Sequence, residues 1–248
     1  MRTLEYGPVG GPTVMLLHGG GLGPWNYRDV AARLGDRLRV IVPILDGHAG
    51  SDRGFTTIED NARELIGFID AELGGHVRLL GGLSLGGQIL LEMLSQRGDI
   101  CSCALIESAL ALPMPATAAL VAPSVAMCAP LVRRRRYARL QFAALHLRPE
   151  LFDDYYASSA ALSRADLTAM LKANAGYRLR ETLSDCRARA LVLAGGRERP
   201  IMQRSARLIA GKLSNAAVEI MPGRRHGEMS LNHPDEYARR VLQLIERA

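Results

Sequence analysis

Six short apolar runs punctuate the chain: Thr13-Val14-Met15-Leu16-Leu17, Arg39-Val40-Ile41-Val42, Val77-Arg78-Leu79-Leu80, Ala104-Leu105-Ile106, Ala190-Leu191-Val192-Leu193-Ala194 and Val218-Glu219-Ile220-Met221. Most are continuously apolar, the pattern of parallel strands covered on both faces. Between them, near residues 25–34, 57–73, 87–97, 201–213 and 234–247, apolar positions recur three and four apart and predict amphipathic helices. Strand–helix alternation of this kind predicts a doubly wound, mostly parallel α/β sheet with right-handed crossovers.

One stretch breaks the alternation. From about Leu112 to Leu183 the chain carries helical patterns and prolines (Pro113, Pro115, Pro123 and Pro130), a four-arginine run Arg133 to Arg136 and an aromatic cluster at Phe152, Tyr155 and Tyr156, but no clear strand. A segment this long is too long for a loop. It predicts a helical insertion at 112–183 between two strands of a core domain made of residues 1–111 and 184–248.

Composition narrows the class. Of 248 residues, 48% are hydrophobic and 23% charged, as in ordinary globular chains, and no apolar run is long enough to span a bilayer. The first residues lack the apolar core of a secretory signal, so a cytoplasmic location is expected. Cys101, Cys103, Cys128 and Cys186 form no C-x-x-C pair and no zinc-type spacing; buried free thiols are expected, with no metal and no cofactor. The net charge of +6 comes almost entirely from arginine, with lysine only at Lys172 and Lys212. No nucleic-acid motif accompanies that charge, so a small molecule is the expected partner. The oligomeric state is open.

The chemistry concentrates at Gly82-Leu83-Ser84-Leu85-Gly86. A serine flanked by glycines between a strand pattern and a helix pattern predicts a nucleophile elbow, a turn so tight that its neighbours must lack bulk. Serine becomes a nucleophile when a base takes its proton and an acid orients that base. The candidate base is His226 in Gly223-Arg224-Arg225-His226-Gly227, just beyond the last apolar run. His233, before the final helix, reads instead as a capping or surface residue. The candidate acid is Glu198, in the loop after Ala194; Glu107, at the end of an earlier strand, is the second choice and Asp185 a distant third. An oxyanion hole needs two backbone amides. Leu85 supplies one, and the loop His18-Gly19-Gly20-Gly21 the other, with Gly20 first and Gly21 second.

Together these segments resemble the α/β-hydrolase superfamily: H-G-G-G at 18–21, the turn Asp46-Gly47-His48-Ala49-Gly50-Ser51-Asp52, G-L-S-L-G at 82–86, G-G-R-E at 195–198 and R-H-G at 225–227. Relatives usually carry a glycine where Ala49 stands and an aspartate where Glu198 stands. The resemblance implies that the insertion caps the active site and sets substrate choice. Leu110, Leu112, Met114, Leu120, Val121, Met127, Phe142 and Leu145 then serve as pocket wall or as packing between cap and core. Gly21 would contact substrate. Trp25 would line the mouth or anchor a helix start. His48 and Asp52 would stabilise a loop. Arg133 to Arg136 would form a solvated surface or dock an anionic group such as coenzyme A or a phosphopantetheine. The implied activity is that of a serine hydrolase cleaving an ester, thioester or related carbonyl through an acyl-serine, with Ser84, His226 and Glu198 as triad. A non-hydrolytic acyltransferase, cyclase or lyase, or a ligand-binding receptor, uses the same fold and stays open.

Overall fold

Each of the six apolar runs lies within a strand, and a seventh strand precedes them. The computed structural model describes residues 1–247, with Ala129 and Pro130 described by their backbone alone. Among them, β1 (Thr3–Tyr6), β2 (Thr13–Leu17), β3 (Arg39–Pro43), β4 (Val77–Leu83), β5 (Cys101–Glu107), β6 (Arg189–Gly195) and β7 (Ala216–Met221) form one sheet in the order β1-β3-β2-β4-β5-β6-β7. All pairings are parallel except β1 with β3. β1 is short and half in solvent, with Leu4 44% exposed, so its residues carry no buried apolar run for the eye to find.

The helices are α1 (Arg28–Leu34), α2 (Ile58–Glu72), α3 (Leu85–Gln96), α4 (Pro115–Val132), α5 (Arg135–Leu145), α6 (Phe152–Ala161), α7 (Arg164–Gly176), α8 (Pro200–Lys212), α9 (Glu228–Asn232) and α10 (Pro234–Glu246). Side chains alternate across the strands, so Met15 and Leu17 point to one face of β2 and Val14 and Leu16 to the other. The first pair joins Leu65, Leu90, Ile106 and Ile209 beneath α2, α3 and α8. The second joins Val30, Leu34, Leu105 and Val241 beneath α1 and α10. Burial on both faces is what made these strands continuously apolar.

Between β5 and β6 the chain leaves the sheet and builds α4 to α7, a helical cap. Ser163 accepts the Asp166 amide and caps the start of α7. Hydrogen bonds tie the cap to the core at several points: Trp25 Nε1 to Ser158 Oγ on α6 at 2.8 Å, the Phe55 amide to Asp166 Oδ1 at 2.7 Å, and Asn174 Nδ2 to Gln88 Oε1 at 2.8 Å. Among the described residues, no helix is long and apolar enough to cross a membrane.

Candidate active site

Ser84 joins β4 directly to α3 with φ 53° and ψ −112°, a left-handed backbone that costs strain in any non-glycine residue. The turn is held because its amide donates to Glu107 O at 2.9 Å and its carbonyl accepts the Gln88 amide at 3.0 Å. Its glycines are sterically required. A Cβ on Gly82 would lie 2.5 Å from Gly86 O, and one on Gly86 would lie 2.2 Å from Leu17 O.

The loops after β6 and β7 bring the candidate acid Glu198 and the candidate base His226 together. A Cβ on Gly195 would lie 2.3 Å from Arg224 O, so only glycine lets the two loops close. The Gly196 and Arg197 amides then donate across to Met221 O and Arg224 O at 2.7 and 2.9 Å. In this arrangement His226 Nδ1 lies 2.8 Å from Glu198 Oε2. The other carboxylate oxygen accepts from Ser108 Oγ at 2.7 Å and from the Gly195 amide at 2.6 Å. Burial works against the Glu198 charge. The His226 contact and these donors outweigh it and hold the carboxyl below the ordinary glutamate value. Ser84 and His226 border the same cavity, though among the described residues no hydrogen bond joins the Ser84 hydroxyl to the imidazole. Such contacts commonly tighten only when substrate binds.

Ser108 escaped the sequence reading. It sits at φ 53° just past β5, where its hydroxyl donates to Glu198 and accepts the Gly227 amide at 3.3 Å. Only its place at a strand's C-terminal end, beside the sheet's other site residues, could have singled it out.

The alternative acids lie elsewhere. Glu107 is buried and accepts the Met229 amide at 3.0 Å and the Ser230 amide at 3.3 Å, anchoring the first turn of α9 rather than the imidazole. Burial pushes its carboxyl up to about 7, with the α9 donors opposing. Asp185 is exposed on the turn that follows the cap. His233 sits at the start of α10 against Arg224.

The glycine loop after β2 is pinned by side chains. Gly19 N donates to Asn26 Oδ1 at 3.2 Å, and Gly21 N donates to His48 Nε2 at 3.0 Å. Of these three consecutive glycine amides, that of Gly20 has no acceptor among the described residues. Leu85, as first residue of α3, likewise has no intrahelical acceptor for its amide. His18 and His48 pack edge to face with centroids 4.6 Å apart. Burial lowers both imidazoles, so both are neutral and their Nε2 atoms accept backbone amides, Leu45's for His18. His48 therefore acts on the glycine loop itself. Asp46 is buried and pairs with Arg53 at 3.4 Å, whereas Asp52 is exposed.

Over Ser84 lies a cavity of about 400 Å3. Its walls are chiefly leucines of the cap and core, with Gly20, Gly21, Ser84 and His226 at its base. Several pocket-wall expectations are corrected. Of the eight named above, Leu145 borders the cavity; Leu110, Val121 and Phe142 are buried packing residues, Leu112 and Met114 are half-buried without bordering it, and Leu120 and Met127 point to solvent at 62% and 72% exposure. Trp25 is not among the residues bordering the cavity, because its indole is held by Ser158 and packs on the core. Cys128 departs from the expectation of burial and borders the cavity, while Cys101, Cys103 and Cys186 are buried free thiols. In the arginine run, Arg135 pairs with Asp153 and lies over the Phe152 and Tyr156 rings. Among the described residues, no group of three or more His, Cys, Asp or Glu side chains is placed to hold a metal ion.

A doubly wound sheet with a strained serine at the central strand–helix junction, and an acid-bound histidine three strands away, defines a class that comparison makes explicit. The profile of the alpha/beta hydrolase family matches residues 14–240, and the chain belongs to that family. It is 35% identical over 92 residues to haloalkane dehalogenase 2 of Mycobacterium tuberculosis, a match covering 36% of this chain and 32% of that protein. The chain thus matches about a third of that relative's length. Among solved structures it resembles an esterase from Thermogutta terrifontis (TM-score 0.80, 21% identity, 99% of this chain and 93% of that one). It also resembles an esterase from Exiguobacterium antarcticum (0.83, 17%, 98% and 94%) and an enol-lactonase from Burkholderia xenovorans (0.81, 16%, 99% and 96%). At these identities the likeness is one of fold.

Proposed function

We propose that the chain is a serine hydrolase that cleaves an ester or related carbonyl substrate through an acyl-serine intermediate. The observation that carries this reading is the 2.8 Å contact of His226 Nδ1 with a buried, ionised Glu198, at a cavity whose base holds Ser84 in its strained turn. With Nδ1–H donated to Glu198, Nε2 is left free to take a proton.

In this reading His226 Nε2 takes the Ser84 proton as Oγ bonds to the carbonyl carbon. The carbonyl π electrons move to its oxygen, and the Gly20 and Leu85 amides donate to the resulting oxyanion. Collapse re-forms the carbonyl and breaks the bond to the leaving alcohol or thiol, which receives the proton from His226. Water then repeats the sequence: His226 takes its proton, hydroxide adds to the acyl carbon, and Ser84 leaves with the proton returned. Glu198 stays ionised throughout and stabilises the imidazolium.

Turnover of a chromogenic ester by Ser84→Ala tests this. A loss of about 10³-fold or more in kcat, with the thermal midpoint kept, is expected; near-normal turnover would remove Ser84 from the chemistry.

A further inference from the structure

Ser84 stands between two lobes of unequal size. The larger, about 400 Å3, is bordered by His226. The smaller, about 120 Å3, is bordered by Leu85, Met170 and Asn174, and His226 is not among its walls. Gly20, Gly21, Leu167 and Leu171 border both, so α7 of the cap overhangs the division. Met170 is 2% exposed, and a Cβ on Gly47 would come within 2.8 Å of its terminal methyl, so the small lobe has a tightly packed end.

Chemistry assigns the lobes. Whichever group leaves must receive its proton from the imidazole, so its oxygen or sulfur lies on the His226 side. The oxyanion occupies the position between the Gly20 and Leu85 amides. The remaining substituent of the tetrahedral carbon, the acyl chain, then points away from His226, toward Leu85 and Met170. At about 30 Å3 of liquid volume per water, the small lobe has room for roughly four non-hydrogen atoms and the large one for roughly thirteen. Among the described residues no Asp, Glu, Lys or Arg borders either lobe, so an ionised group on either side would be desolvated without a counter-charge.

We infer that the site selects neutral esters with a short acyl chain, four carbons or fewer, and a larger apolar alcohol portion. Met170 and Leu171 set the acyl limit. The inference rests on the ester-hydrolase reading and adds direction to it.

Two isomeric esters of equal composition test it: hexyl acetate, with its bulk on the alcohol, and ethyl hexanoate, with its bulk on the acyl chain. The expected result is a kcat/KM about tenfold or more higher for hexyl acetate. Equal rates, the reverse preference, or turnover of neither ester overturns the assignment. Phosphonate labelling of Ser84, run in parallel, separates the two levels: a labelled Ser84 with the wrong preference sinks the partition alone, whereas an unlabelled Ser84 sinks the hydrolase reading beneath it. In Leu171→Ala, at a half-exposed position that tolerates truncation, and in Met170→Ala, the ratio should narrow several-fold because ethyl hexanoate gains. An unchanged ratio in correctly folded Leu171→Ala and Met170→Ala removes these residues as the limit.

Discussion

Glu198 is held at both of its carboxylate oxygens. One oxygen meets His226 Nδ1 while the other accepts from Ser108 and Gly195, so the carboxylate has a single orientation and a charge kept below its ordinary titration range. In Glu198→Gln the amide NH2 must face either His226, at the loss of that one hydrogen bond, or Ser108 and Gly195, at the loss of the two bonds accepted from them. Loss of the charge also removes the counter-ion of the imidazolium. A fall of about 10² to 10⁴ in kcat with little change in KM is expected from steady-state kinetics. A kcat within threefold of the parent would move the acid's role elsewhere. The positions of Ser84, His226 and Glu198 were legible because each follows a readable apolar run. Ser108 was not, since a serine after a strand has no distinguishing pattern until the loop from β7 folds over it. Between the two roles open to Trp25 the structure favours the helix-start anchor, and the sequence could not choose because its partner, Ser158, lies 133 residues away.

At the scale of elements, the loop from β7 into α9 carries His226, the proposed base, and Glu107 anchors it. The carboxylate of Glu107 receives the Met229 and Ser230 amides at the start of that five-residue helix. Its sign of linkage is the reverse of that of Glu198. Burial raises its carboxyl from 4.5 to about 7, so the folded chain holds this proton more tightly than the unfolded chain does. Its contribution to stability is full below pH 4.5 and is lost as pH rises through about 7. Glu107→Gln, uncharged at every pH, should therefore gain thermal midpoint relative to the parent between those limits. Calorimetry across the range checks this; a difference that does not change with pH would contradict the linkage. α9 itself was absent from the sequence reading because five residues give too short a period to detect. β1 escaped for want of burial.

Over the whole molecule, the sheet order places the ends of β2, β4, β5, β6 and β7 along one rim, and the site residues all come from the segments that leave that rim. That layout was legible because strands buried on both faces must be continuously apolar. The cap was legible as a break in that rhythm, but its inner surface was not. α4 has no charged residue in 18, so its sequence cannot say which apolar side chains face the cavity and which face water. Its contact with α7 and the tethers from Trp25, Gln88 and Phe55 decide that. The fold and cap serve one claim, that Ser84 is the activated nucleophile. Reaction with a fluorophosphonate followed by peptide mass spectrometry tests it most directly. One adduct is expected, on Ser84, absent in Ser84→Ala and formed far more slowly in His226→Ala. An unmodified Ser84, or an adduct on another residue of the intact protein, would contradict it.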